Sequence, residues 1–107
     1  MTEAVLIITS AGSREEADRI AAMLVEERLA ACVQILPATS VYRWQGAIER
    51  AEELVLHIKT LAGCGEAVER RIREVHSYDV PEVIVLPITG GSADYLGWLA
   101  AEVGAMG

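Results

Sequence analysis

Glu53 and Lys59 stand six residues apart in a stretch of alternating character, Glu53-Leu-Val-Leu-His-Ile-Lys59. In an extended chain that even spacing puts both charges on one face. Lys59 is the only lysine, against eight arginines. A carboxylate and an ammonium so placed can pair across a subunit boundary, or the lysine can contact an anion in a cleft, because partly buried charges need partners. A second group lies in His76-Ser-Tyr-Asp-Val-Pro-Glu82. His76 directly follows a helix pattern. It either engages the last helical carbonyls or serves as a ligand or proton carrier at a cleft. Tyr78 and Glu82 are polar partners within reach of the same segment. Glu53 and His76 could form a base and acid between chains, but no Ser-His-Asp spacing, metal motif or phosphate loop supports catalysis.

Cys32 and Cys64 form no CxxC pair and have no zinc-finger spacing. Cys32 lies between Ala31 and Val33 in a strand pattern, as a buried thiol or a metal ligand. Cys64 lies between two glycines and belongs to no motif. Tyr42, Trp44, Tyr78, Tyr95 and Trp98 are all the aromatics. Tyr and Trp favour interfaces, where the polar tip finds a partner. Trp44 and Trp98 are candidate cleft walls. Gly90-Gly91 before Ser92 reads as a plain strand-to-helix turn, since neither GxGxxG nor a Walker pattern is present.

The elements that must position these residues alternate from end to end. Ala4 to Thr9 is an apolar, β-branched run, predicted as a strand buried on both faces. Ser13 with Glu16 makes a capping box, and Ala17, Ile20, Ala21, Leu24, Val25 and Leu29 form a helical stripe. Cys32 to Trp44 is extended, with a bend or bulge expected at Pro37. Gln45-Gly46 is a turn, and Ile48 to Thr60 returns as the other arm of a long hairpin. Its second half sets Leu54, Leu56 and Ile58 against Glu53, Val55, His57 and Lys59. Glu66 to Val75 is a helix, Val83 to Ile88 a buried strand, and Ser92 caps a last helix with Leu96, Leu99, Ala100 and Val103 as its apolar face.

The order β-α-β-β-α-β plus a terminal helix is that of an α+β, ferredoxin-like sandwich, with both main helices on one face of an antiparallel sheet. The other face is expected to lack a helix and to be mixed in character. That face and the overhanging hairpin predict an oligomer. The 107 residues make one domain, 1–107, with no repeat or linker. A 52% hydrophobic fraction excludes whole-chain disorder. A net charge of −7 argues against nucleic acid. No apolar run approaches a membrane span, and Met1-Thr2-Glu3 does not begin a signal peptide, so a soluble, cytosolic protein is expected.

Five short motifs occur in register: Leu29-Ala-Ala-Cys-Val, Tyr42-Arg-Trp-Gln-Gly46, Ile58-Lys-Thr60, His76-Ser-Tyr-Asp-Val-Pro-Glu82 and Tyr95-Leu-Gly-Trp-Leu99. With them the chain resembles the CutA family, the divalent-cation tolerance proteins. The resemblance implies a cytoplasmic homotrimer, similar in architecture to the PII signalling proteins, with clefts between subunits. It implies a link to copper and other divalent ions and no established reaction. Some members carry a cysteine where this chain has Thr9, and a His-His pair where it has Val75-His76. His76 and Cys32 are then the metal-ligand candidates. Glu53, Lys59, Tyr78, Glu82, Trp44 and Trp98 are the candidates for a ligand cleft. The rival expectation is a PII-like signalling or scaffold trimer whose ligand is organic or a protein.

Overall fold

The computed structural model describes residues 3–104. The outermost residues of the expected 1–107 domain lie outside that range. The elements run β1 (Ala4–Ala11), α1 (Arg14–Glu26), β2 (Cys32–Trp44), β3 (Ala47–Leu61), a 3₁₀ turn (Ala62–Cys64), α2 (Gly65–Val75), β4 (Ile84–Pro87) and α3 (Ala93–Glu102). The four strands form one antiparallel sheet in the order β2-β3-β1-β4. This is the expected α+β sandwich.

Alternation along β1 divides the two faces of the sheet. Val5, Ile7, Thr9 and Ala11 point one way, and Ile7, Thr9 and Ala11 are fully buried. They pack with Leu56 and Ile58 of β3 against Ala17, Ile20 and Leu24 of α1 and Val68 and Ile72 of α2. The helices lie there because their apolar residues recur every three or four positions. Ala4 points the other way, and α3 covers it with Leu99 and Val103. The second face therefore does have a helix, at one end only. Beyond α3 it is open and apolar, with Leu36, Ile84 and Leu86 each more than 40% exposed.

Three local expectations change. Pro37 makes neither bend nor bulge: β2 pairs residue for residue with β3 through Pro37↔Leu54. An edge strand tolerates proline because one of its flanks needs no N–H. β4 is an exposed edge rather than a buried strand, with Ile84, Val85 and Leu86 at 41–50% exposure. Val75, at the end of the α2 stripe, is also exposed. The hairpin turn is as expected. Gln45 and Gly46 both take positive φ, 51° and 84°, the pairing that matches the twist of a two-residue hairpin. The arms from Ala47 to Glu53 extend past β1, so this part of β3 pairs only with β2.

No helix among the described residues is long and apolar enough to cross a membrane. Arg28 ends α1 at φ 58°, and its guanidinium reaches the carbonyl of Ala101, tying α3 to the body. One core defect has a testable consequence. The Thr9 hydroxyl is buried with no hydrogen-bond partner among the described residues. Burying an unpaired hydroxyl costs on the order of 1–3 kcal/mol. Thr9→Val is expected to stabilise the fold by about 1 kcal/mol, a rise in melting midpoint of about 4–8 °C in a domain of this size. Calorimetry reads this directly, and a lower midpoint would show that the hydroxyl is satisfied.

Candidate functional site

The residues following α2 would be a free connection if nothing held them. Glu16, in the first turn of α1, holds them. Ser13 caps α1 through a bond from the Glu16 N–H to its Oγ, at 3.1 Å. The Glu16 carboxylate does not close the expected box. It turns to the loop instead and accepts the Ser77 N–H at 2.7 Å and the Ser77 hydroxyl at 3.0 Å. Its side chain is 6% exposed. Burial alone would raise its pKa. The two Ser77 bonds and the Gly12 N–H outweigh burial and hold the carboxyl below the usual glutamate range.

His76 completes the lock. Its side chain is fully buried. Nδ1 accepts the Tyr78 N–H at 3.0 Å, so the ring proton sits on Nε2, which donates to the Ser10 carbonyl at 2.7 Å. Both nitrogens are occupied, and as the ring stands it offers no lone pair to a metal. The histidine fixes the loop to β1. The Tyr78 ring lies against it, centroids 4.6 Å apart.

Thus held, Tyr78 crosses the end of β1. A Cβ on Gly12 would come within 3.0 Å of its hydroxyl, so glycine makes room for the ring. The hydroxyl donates to Glu53 Oε2 at 2.8 Å. Burial, then this bond and the Glu53 charge, push the phenol up to about 12, so it remains a donor at neutral pH. A groove of about 550 Å³ opens beside it. Ser40, Tyr42, Trp44 and Glu53 of the hairpin form one wall. Residues 78–82 form the other, and Ser10 lies between them. Burial, then the Glu53 charge, raise the pKa of Glu82. Glu53, Asp79 and Glu82 have no arginine, lysine or histidine paired with them among the described residues.

The candidates named from sequence therefore divide. Glu53, Tyr78, Glu82 and Trp44 share the groove. Lys59 and Trp98 do not. Lys59 donates to the Tyr95 hydroxyl at 3.3 Å and lies 5.4 Å from that ring, and Trp98 packs on Tyr95 at 5.5 Å. The six residue steps from Glu53 to Lys59 span roughly 20 Å of strand, which separates the two clusters within one chain. Cys32 stands directly opposite Lys59, in that second cluster and away from His76. The single-chain geometry thus brings no second ligand to His76. Sequence reasoning missed Ser10, Ser40, Tyr42, Asp79 and the anchoring role of Glu16. Tyr42 was within reach, being two residues before Trp44 and hence on the same strand face.

The profile of the CutA1 divalent ion tolerance protein matches residues 5–102. The chain belongs to the CutA1 family. The divalent-cation tolerance protein CutA of Thermus thermophilus is 47% identical over 105 residues, covering 97% of this chain and all of that one. The crystal structure of CutA1 from Oryza sativa superposes with a TM-score of 0.94 at 37% identity, over 98% of this chain and 97% of that one. The protein from Archaeoglobus fulgidus, described as a periplasmic divalent cation tolerance protein, gives 0.88 at 38% identity, over 90% and 94%. These CutA1 likenesses cover both the groove walls and the loop that follows α2.

The lock makes a prediction with a defined sign. A carboxyl held below its unfolded pKa stabilises the fold above that value and loses the effect as pH falls through the folded one. Glu16→Gln is expected to cost about 1–2 kcal/mol at pH 7. The difference from the parent should shrink as pH falls below about 4.3, the ordinary glutamate value. Urea denaturation at pH 7 and at pH 3 measures it; a gap unchanged between the two would show that Glu16 carries no linked charge.

Proposed function

We propose that this CutA1 protein is a cytoplasmic homotrimer that serves divalent-cation tolerance by binding a divalent cation or small ligand in the groove, without catalysing a reaction. The observation that carries this reading is a groove lined by Glu53, Asp79 and Glu82 with no basic partner among the described residues, although the three carboxylates do not close into a three-ligand metal cluster within one chain. Such a site attracts a cation. Binding rather than turnover is supported by the state of the titratable groups. His76 has both nitrogens engaged, and Tyr78 is held as a donor to Glu53.

Assembly is supported by what one chain leaves open. The apolar face around Leu36, Ile84 and Leu86, the exposed edge of β4 and the unpaired flank of β3 from Ala47 to Glu53 suit contact with further copies. In such a trimer the Lys59–Tyr95–Trp98 cluster of one chain could approach the groove of the next.

The family resemblance implies copper or another divalent cation, and the donors available do not favour copper at His76 or Cys32. The His76 ring is fully engaged and Cys32 belongs to the other cluster. The groove offers oxygen ligands, which suit Mg²⁺, Mn²⁺ or Ca²⁺ better than copper. The rival reading, a PII-like signalling or scaffold trimer with an organic ligand, is favoured by one observation: about 550 Å³ is the size of a small-molecule pocket.

Light scattering is expected to give three times the 11.5 kDa chain mass. Calorimetric titration with Mg²⁺, Mn²⁺ and Cu²⁺ should give saturable binding that weakens at least about tenfold in Glu53→Gln/Glu82→Gln. Affinity should rise with pH through the Glu82 titration, because the cation displaces a proton whose loss is otherwise opposed. Equal, unsaturated binding by both proteins would contradict the reading.

A further inference from the structure

The groove has two different halves. Glu53, Asp79 and Glu82 make one of them acidic. Ser10 lies with them. The alternation that sends Thr9 into the helical core sends the Ser10 side chain to the groove face. Ser10 is 4% exposed and lines the groove. Its hydroxyl can both donate and accept, so it is a polar contact for the head of a ligand in that half.

The other half is apolar. Tyr42 and Trp44 alternate along β2 and so project from one face, 43% and 48% exposed, opposite Val80 and Pro81. The Tyr78 hydroxyl is already committed to Glu53, which leaves its ring as wall. A metal ion uses none of these surfaces. An ion with its water would fill only a part of about 550 Å³, since one water takes about 30 Å³. Aromatic faces beside carboxylates are the chemistry that recognises organic cations, through the ring quadrupole and the opposite charge together.

We propose that the groove takes a small organic cation, an ammonium or guanidinium head on an apolar body. The head lies among Glu53, Glu82 and the Ser10 hydroxyl, and the body packs on Tyr42 and Trp44. The inference rests on the groove being the binding site and names its ligand class.

The test uses the full chain, with benzylamine as probe, benzyl alcohol as its neutral counterpart and benzoate as its anionic one, beside Mg²⁺ and Mn²⁺. Binding is read by calorimetry and by Trp fluorescence. Benzylamine should bind saturably and at least about tenfold more tightly than benzyl alcohol. Trp44→Ala should weaken benzylamine about tenfold. Trp44→Phe, which keeps a ring, should retain most of the affinity, and Glu53→Gln should weaken both kinds of cation.

If the metal ions bind and are lost in Glu53→Gln while benzylamine is no better than benzyl alcohol, the organic-cation assignment is wrong and the groove reading stands. Failure of both the metals and the amine would remove both. Tighter binding of benzoate than of benzylamine would overturn the proposal by reversing the charge, as a lysine from a second copy seated among the carboxylates would do.

Discussion

A carboxylate that is almost fully buried must find donors, and Glu16 finds them outside its own helix. That constraint orders the working end of the molecule. Ser77 cannot leave the first turn of α1 without stranding a charge. His76, one residue before it, is drawn under β1 and spends its Nε2–H on the Ser10 carbonyl. Its other nitrogen fixes the Tyr78 N–H, which aims the phenol across Gly12 to Glu53. A chain of short polar contacts thus converts the segment after α2 into one wall of a groove. The opposite wall is the hairpin, whose direction is set by a turn with two positive-φ residues.

The same residues account for the electrostatics. Tyr78 gives Glu53 a hydrogen bond but no positive charge, so the groove remains acidic. Glu82, part of the second wall, is disfavoured as an anion by burial and by Glu53 facing it. The molecule meanwhile leaves apolar surface uncovered on the sheet face that α3 reaches at only one end. An acidic groove and an unfinished apolar face are separate features of one sheet. They suit separate tasks, one toward a ligand and one toward further copies of the chain.

Much of the fold was legible because its signals are local. Ser13 announces α1, the alternation from Glu53 to Lys59 announces β3, and Gln45-Gly46 announces the turn. The strand and helix order then leaves few topologies. Burial of whole strands was less legible. The run Val83 to Ile88 is as apolar as β1, yet β4 forms the outer edge of the sheet, and Pro87 is the one local sign of it. The site was half legible. Glu53, Tyr78, Glu82 and Trp44 do meet. Lys59 and Trp98 shared their motif character but not their place, because six residues of strand is a long distance and motifs do not record it. From sequence Glu16 reads as a capping residue. Its actual partner is 61 residues away in sequence, and nothing at Ser77 advertises the contact.

The most direct test of the central claim is the state of the His76 ring, read by long-range ¹⁵N–¹H correlation in solution at neutral pH, before and after addition of Cu²⁺ or Zn²⁺. A ring that locks the loop carries its proton on Nε2, has Nδ1 as acceptor, and keeps that signature when metal is added. A proton on Nδ1, or a signature that is lost as metal is titrated in, would mean that His76 serves a ligand rather than the loop, and the groove would need another explanation for its second wall.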